Sequence, residues 1–317
     1  MLMLARILVV ALINTLLWFA PPVCAAEAVK LVLSGEQNYY QQVADVFAER
    51  LAALEPGVEI RRQVLNSDND LSVAEGQQLV AVGSDATRKA LAQYPDADIL
   101  SLLIPMAVWL DLSATGLENQ RLAAVVIDQP LERSVLLGKL LQPKAEHFGV
   151  VFGPAARAAQ GGHLEREHAM GVHLRTENLP PTANPISVLS PLISASEVFI
   201  AVPDRADFNR NIAKWVLRLS FRDKVPVIGF SSSYTEAGAL ASIYSSPENV
   251  GRHGAELLNA LSGGQSEENG SHSADWRAYY PRYYTLQVNE DVARILDISV
   301  PPLDELYRKY EQALRAM

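Results

Sequence analysis

Cysteine is almost missing from this chain. Cys24 is the only one in 317 residues, so no internal disulfide can form. A chain cleaved after Ala25 or later carries no thiol for an oxidising compartment to act on. Long apolar runs are scarce as well. The extended one, residues 7–20, is interrupted by Asn14 and Thr15 and ends at Pro21-Pro22, short of the roughly 20 apolar residues a spanning helix needs. A short head with Arg6 precedes it, and Val23-Cys24-Ala25-Ala26-Glu27-Ala28 follows with small residues in the A-x-A style. Head, apolar run and small-residue site in that order predict a secretory signal peptide over residues 1–26 and a periplasmic mature protein. Cys24 leaves a lipoprotein anchor as the alternative, although Pro21-Pro22-Val23 fit poorly the leucine-and-small-residue pattern of such processing.

Positive charge is the minority. Without the signal, 26 basic residues face 36 acidic ones, a net charge of about −10. That balance disfavours nucleic acid and anionic membrane surfaces as partners. Catalytic signatures are missing too: there is no G-x-S-x-G elbow, phosphate loop or dinucleotide-binding glycine pattern. His163, His168 and His173 are spaced by five, not by the three or four that stack metal ligands on a helix. No metal, cofactor or enzymatic activity is expected. The distant alternative is a hydrolase using Ser231, from the run Ser231-Ser232-Ser233, and a histidine.

What the chain does contain is alternation. Short apolar runs at residues 29–33, 79–82, 99–104, 122–127, 148–152, 198–202 and 225–230 read as strands, and 58–65 alternates like another. Helical patterns lie between them, with Val43, Val46, Phe47, Leu51 and Leu54 sharing one face and Ile212, Trp215, Val216 and Leu219 another. Further helices are expected over 86–93 and from Pro301-Pro302 to the end, and a polar loop over 262–276. Strands apolar throughout, each followed by a helix, predict parallel sheets covered on both faces. Eight or nine such strands lie near the upper end for one comfortable twisted sheet and two sheets fit better, so the class is α/β with two Rossmann-like lobes.

In parallel α/β sheets, ligands sit beyond the carboxyl ends of the strands. Ser34-Gly35-Glu36, Gly83-Ser84-Asp85-Ala86, Asp204, and Phe230-Ser231 fall at such ends and are the candidate ligand-binding residues. Ser84, Asp85 and Ala86 also head a helix, whose free N–H groups favour an anion such as a carboxylate. Each loop alone reads equally well as an ordinary N-cap.

The order and spacing of several motifs resemble the ABC-transporter substrate-binding family that includes the tryptophan- and tyrosine-type binders. They are Leu79-Val80-Ala81-Val82-Gly83-Ser84-Asp85-Ala86, Leu140-Leu141-Gln142-Pro143 with Phe148-Gly149-Val150-Val151-Phe152-Gly153-Pro154, and Gly238-Ala239-Leu240-Ala241-Ser242. Gly251-Arg252, Leu261-Ser262-Gly263-Gly264 and Tyr284-Thr285-Leu286-Gln287-Val288-Asn289 continue the series. The resemblance implies a type I periplasmic-binding-protein architecture with crossovers at 127–130, 241–244 and 281–286. It implies an N-terminal lobe of 27–128 plus 243–280, a C-terminal lobe of 129–242 plus 281–317, and a ligand cleft between them. It further implies an amino-acid-like solute, with Ser84 and the N–H groups of Asp85 and Ala86 on its carboxylate, Asp204 on its amine, and Phe230 and Ser231 on the opposite wall. The partner so implied is the membrane permease of an importer, or a membrane sensor. Two departures stand out: Asp85 brings negative charge where the family has a neutral small residue, and 105–120 lacks the family's Asp-Pro passage and Asn-Val-Thr-Gly turn.

Overall fold

The computed structural model describes residues 28–65, 71–73, 77–114, 122–160, 170–204, 206–262 and 276–316. The expected signal peptide, His163, His168 and nearly all of the polar loop at 262–276 lie outside the described residues. The chain begins with β1 (Ala28–Leu33), α1 (Asn38–Leu54), β2 (Glu59–Val64), β3 (Gln78–Val82), α2 (Ser84–Gln93), β4 (Ile99–Ile104), α3 (Met106–Ser113) and β5 (Leu122–Val126). It continues with α4 (Leu131–Leu141), β6 (His147–Phe152), α5 (Pro154–Gln160), β7 (His173–Asn178), α6 (Pro185–Ser194), β8 (Val198–Ile200), α7 (Ala206–Asp223) and β9 (Val227–Gly229). The remainder is α8 (Ser232–Glu236), β10 (Ala241–Tyr244), α9 (Pro247–Ser262), β11 (Trp276–Tyr279), β12 (Thr285–Val288), α10 (Glu290–Ile295) and α11 (Leu303–Arg315).

These strands form two six-stranded sheets, ordered β11-β5-β4-β3-β1-β2 and β12-β10-β9-β8-β6-β7. The first is parallel throughout; the second is parallel except where β12 runs antiparallel to β10. Each is a doubly wound sheet in which the order reverses at its first strand, β1 or β6. Both faces are covered, as the apolar strands require. Val29, Leu31 and Leu33 pack with α1 and α9 on one side of β1, while Val32 packs with α2 on the other. Strands β7, β10, β11 and β12 were not anticipated from the sequence. The sequence of β7, His173-Leu174-Arg175-Thr176-Glu177-Asn178, is a polar edge strand with no buried residue, so it carries no apolar run to read.

Three connections join the lobes: 127–130 from β5 to α4, 245–246 from β10 to α9, and 280–284 from β11 to β12. The second corrects the sequence-based boundary. Ile243 and Tyr244, assigned above to the N-terminal lobe, pair with Leu286 and Thr285 in the C-terminal sheet, so the chain leaves that lobe only after Tyr244. It then docks α9 on α1 of the first lobe. The approach is close: a Cβ on Gly251 would lie 2.5 Å from the carbonyl oxygen of Val43. Helix α11 returns to α4, burying Leu306 and Tyr310 completely, and the Tyr310 hydroxyl donates to the carbonyl of Arg133 at 2.9 Å.

Candidate functional site

The carboxyl ends of both sheets face a cavity of about 810 Å³ between the lobes. Its N-terminal wall is made by β4 and the start of α3, through Leu103, Pro105, Val108, Leu110 and Asp111. Leu103 has φ +58°, a left-handed conformation a leucine rarely adopts, at the point where the register of β4 against β5 shifts between Leu102 and Ile104. Such bulges re-aim side chains next to binding sites, and here the re-aimed leucine lines the cavity. The C-terminal wall comes from the ends of β6, β8 and β9, through Pro154, Ala155, Val202, Asp204, Phe230 and Ser231. Most of the lining is apolar.

The floor is formed by the first two crossovers, through Ile127, Asp128, Gln129, Ser245 and Ser246, and side chains tie these to the third. Gln129 donates through Nε2 to Ser245 Oγ at 2.8 Å, and Ser245 Oγ donates to the carbonyl of Tyr283 at 2.6 Å. Arg133 donates through Nη1 to Gln129 Oε1 at 2.7 Å and to the carbonyl of Pro281 at 2.8 Å. Thus all three connections share one hydrogen-bonded network. The guanidinium of Arg133 also sits 5.6 Å from the ring centre of Tyr284.

Asp128 stands in the same floor, 5% exposed. Its Oδ2 accepts a 2.6 Å hydrogen bond from the backbone N–H of Met106, the first residue of α3, so the crossover holds the start of the helix that forms the opposite wall. Burial pushes its carboxyl up to about 6, against the bonds from Met106 and from its own backbone N–H. No ion pair joins Asp128 to a described residue. Among the described residues, no lysine, arginine or histidine lines the cavity, whereas Asp111, Asp128 and Asp204 do.

The residues anticipated from the sequence divide into two groups. Asp204, Phe230 and Ser231 come together on the C-terminal wall. Asp204 accepts from the N–H groups of Ala155 and Ala156 at 3.2 and 2.8 Å, capping α5 from a neighbouring loop. Ser231 caps α8 by accepting from the N–H of Tyr234 at 3.2 Å. Ser34, Gly35, Glu36, Gly83, Ser84, Asp85 and Ala86 do not line this cavity. They sit at the ends of β1 and β3, farther along the same sheet edge. There the Oγ of Ser34 accepts the N–H of Ala86 at 2.9 Å, so the donor expected to meet a carboxylate is already engaged. Ser34 and Tyr40 crowd Gly83, whose φ of +92° suits glycine. Asp85 is exposed and pairs with Arg88 at 3.3 Å.

The sequence reading missed Asp128, Gln129, Ser245 and Leu103. Asp128-Gln129-Pro130 immediately after an apolar strand was a usable signal, since a strand end followed by an acid and proline marks a chain leaving its sheet.

Neither a protein-family model nor a curated protein matches the chain. Solved structures do. An ABC domain in complex with L-Trp from Streptococcus pneumonia is 15% identical with a TM-score of 0.53, over 87% of this chain and 96% of that one. The ligand-free, open structure of a substrate binding protein with adhesive properties from Clostridium difficile is 17% identical with a TM-score of 0.62, over 87% and 97%. A XylFII–LytSN complex gives 12% identity and a TM-score of 0.53, over 84% and 99%. At such identities the likeness is one of architecture, and with two doubly wound sheets, three crossovers and a cavity between lobes the chain has the type I periplasmic binding fold.

Proposed function

We propose that this chain is the periplasmic substrate-binding component of an ABC-type importer, holding a small solute between its lobes without transforming it. The observation that carries this reading is the cavity, which has the volume of a small-molecule site, apolar walls and a few polar groups, and lies where three crossovers permit hinge closure. The fold and the sequence of motifs support import. The predicted signal peptide at 1–26 supports export. Among the described residues no helix is long and apolar enough to cross a membrane. Of the site residues anticipated from sequence, Asp204, Phe230 and Ser231 are the ones proposed to touch the solute. The expected amino-acid-like solute gains support on one side only, since the cavity supplies carboxylates for an amine and no cation for a carboxylate among its described lining.

A second reading, reporting the solute to a membrane sensor, is favoured by one comparison: XylFII, a protein of this fold, was solved in complex with LytSN. The hydrolase alternative draws no support from the cavity, where Ser231 has no histidine beside it among the described lining residues.

The test is a thermal-shift screen of the chain from Glu27 onward against amino acids, amines, sugars, nucleosides and organic acids. A solute far above its dissociation constant raises stability by about 3 kcal/mol, a shift of several degrees. Loss of that shift in Phe230→Ala supports the cavity as the site. A well-folded protein that responds to nothing overturns the solute-binding reading. Uptake of the hit by cells with and without the gene then separates import, where uptake falls, from sensing, where it does not.

A further inference from the structure

We infer that the cavity is built for a largely apolar solute that carries a protonated amine and no carboxylate, with Asp128 meeting the amine. This rests on the solute-binding reading above and narrows it.

The walls decide the body of the solute. Val108, Leu110, Ile127, Leu131, Val202 and Phe230 make most of the lining surface apolar, so an apolar body is matched by more of it than a polyhydroxylated one. The ionisable groups decide its charge. The three carboxylates are not equivalent. Asp204 is committed to two N–H groups of α5, and Asp111 is exposed on α3 at the rim. Asp128 is buried at the floor, accepts from the N–H of Met106 and from its own backbone N–H, and forms no ion pair with any described residue. Arg133, on the first turn of α4, spends its Nη1 on Gln129 and the carbonyl of Pro281.

A buried carboxylate without a counter-charge is unfavourable, and near neutral pH Asp128 is mostly ionised even with its raised pKa of about 6. An ammonium or other cationic group placed against its carboxylate supplies that counter-charge together with a charge-assisted hydrogen bond. A solute carboxylate in the same space meets three acids and no described cation. At the expected carboxylate cradle the N–H of Ala86 is occupied by Ser34, and Asp85 adds negative charge beside it.

Calorimetric titration at pH 7.5 of the mature chain and its Asp128→Asn variant tests this with four probes. They are tryptamine, L-tryptophan, indole-3-propionate and galactose, three sharing an aromatic body and differing in charge. The expected result is that tryptamine binds at least tenfold more tightly than the other three. Asp128→Asn should then weaken tryptamine at least tenfold while its thermal midpoint without ligand is no lower than that of the parent, which separates a lost contact from a lost fold. Tighter or equal binding of the acid, the amino acid or the sugar overturns the inference and leaves solute binding standing. Unchanged tryptamine affinity in Asp128→Asn also overturns it. Failure of all four probes overturns the inference, and solute binding falls with it only if the broad thermal-shift screen is empty as well.

Discussion

The side-chain amide of Gln129 donates to the hydroxyl of Ser245 over 2.8 Å, and this bond joins the first connection between the lobes to the second. The same serine reaches the third through the carbonyl of Tyr283. The three separate connections are therefore joined to one another by side-chain hydrogen bonds. Because both partners are largely shielded from water, Gln129→Ala is expected to cost about 1–2 kcal/mol in urea unfolding. A double-mutant cycle with Ser245→Ala should show coupling of about 0.5–3 kcal/mol. Additive losses would mean that the connections are not tied by this bond.

Asp128 should stabilise the empty protein when neutralised. Its carboxyl, raised from 3.8 to about 6 by burial, opposes folding at neutral pH by up to about 3 kcal/mol. The Asp128→Asn variant keeps an oxygen for the N–H of Met106 and removes the charge. Its unfolding free energy at pH 7.5 is expected to rise, by about 1–3 kcal/mol. A fall would show that the charge is compensated in the folded state.

His253 titrates in the opposite sense. It is 2% exposed, accepts the N–H of Arg282 through Nδ1 at 3.3 Å, and is held down to about 4 by burial and then by the charge of Arg282. A lowered histidine leaves the unfolded chain with more bound protons, so its stability is complete above pH 6.5 and declines as pH falls toward 4. Asp128 is raised, so its favourable contribution is present below about 3.8 and declines as pH rises through 6. Between these limits the two slopes oppose each other. Stability measured from pH 4 to 6 should therefore rise with pH more steeply in Asp128→Asn than in the parent. In His253→Asn it should rise less, or fall.

The contact of α9 with α1 leaves no room for a side chain at position 251. With a Cβ 2.5 Å from the Val43 carbonyl oxygen, backbone must move, and Gly251→Ala is expected to lower stability by about 1–3 kcal/mol. Thermal unfolding of the variant checks this, and an unchanged midpoint would mean that the helices shift apart freely.

Ser34 is a cap before it is anything else. Removing its Oγ in Ser34→Ala frees the N–H of Ala86 and should cost about 1 kcal/mol of stability. Affinity for any cavity solute should stay within about twofold, because Ser34 does not line the cavity. A loss of tenfold or more would bring the β1 and β3 loops into the site.

The sequence by itself determined the class of this protein. Runs such as Leu79-Val80-Ala81-Val82 and Phe148-Gly149-Val150-Val151-Phe152 are apolar on both faces because parallel strands are covered on both faces, and that is a local property. It also marked Asp204, Phe230 and Ser231, since strand ends with small polar residues are visible in one dimension. It did not show β7, whose side chains are mostly exposed, nor β10 and β12, whose pairing joins distant residues such as Ile243 and Leu286. Nor did it distinguish Ser84, whose loop resembles a ligand cradle, from Asp128, which lies in the cavity floor. Helix-cap chemistry looks alike wherever it occurs. Only the tertiary structure decides that Ser34 fills one such end while Asp128, buried without a cation among the described residues, faces the space between the lobes. Charge, burial and shape at that floor come from three segments of chain that meet only when the lobes are folded.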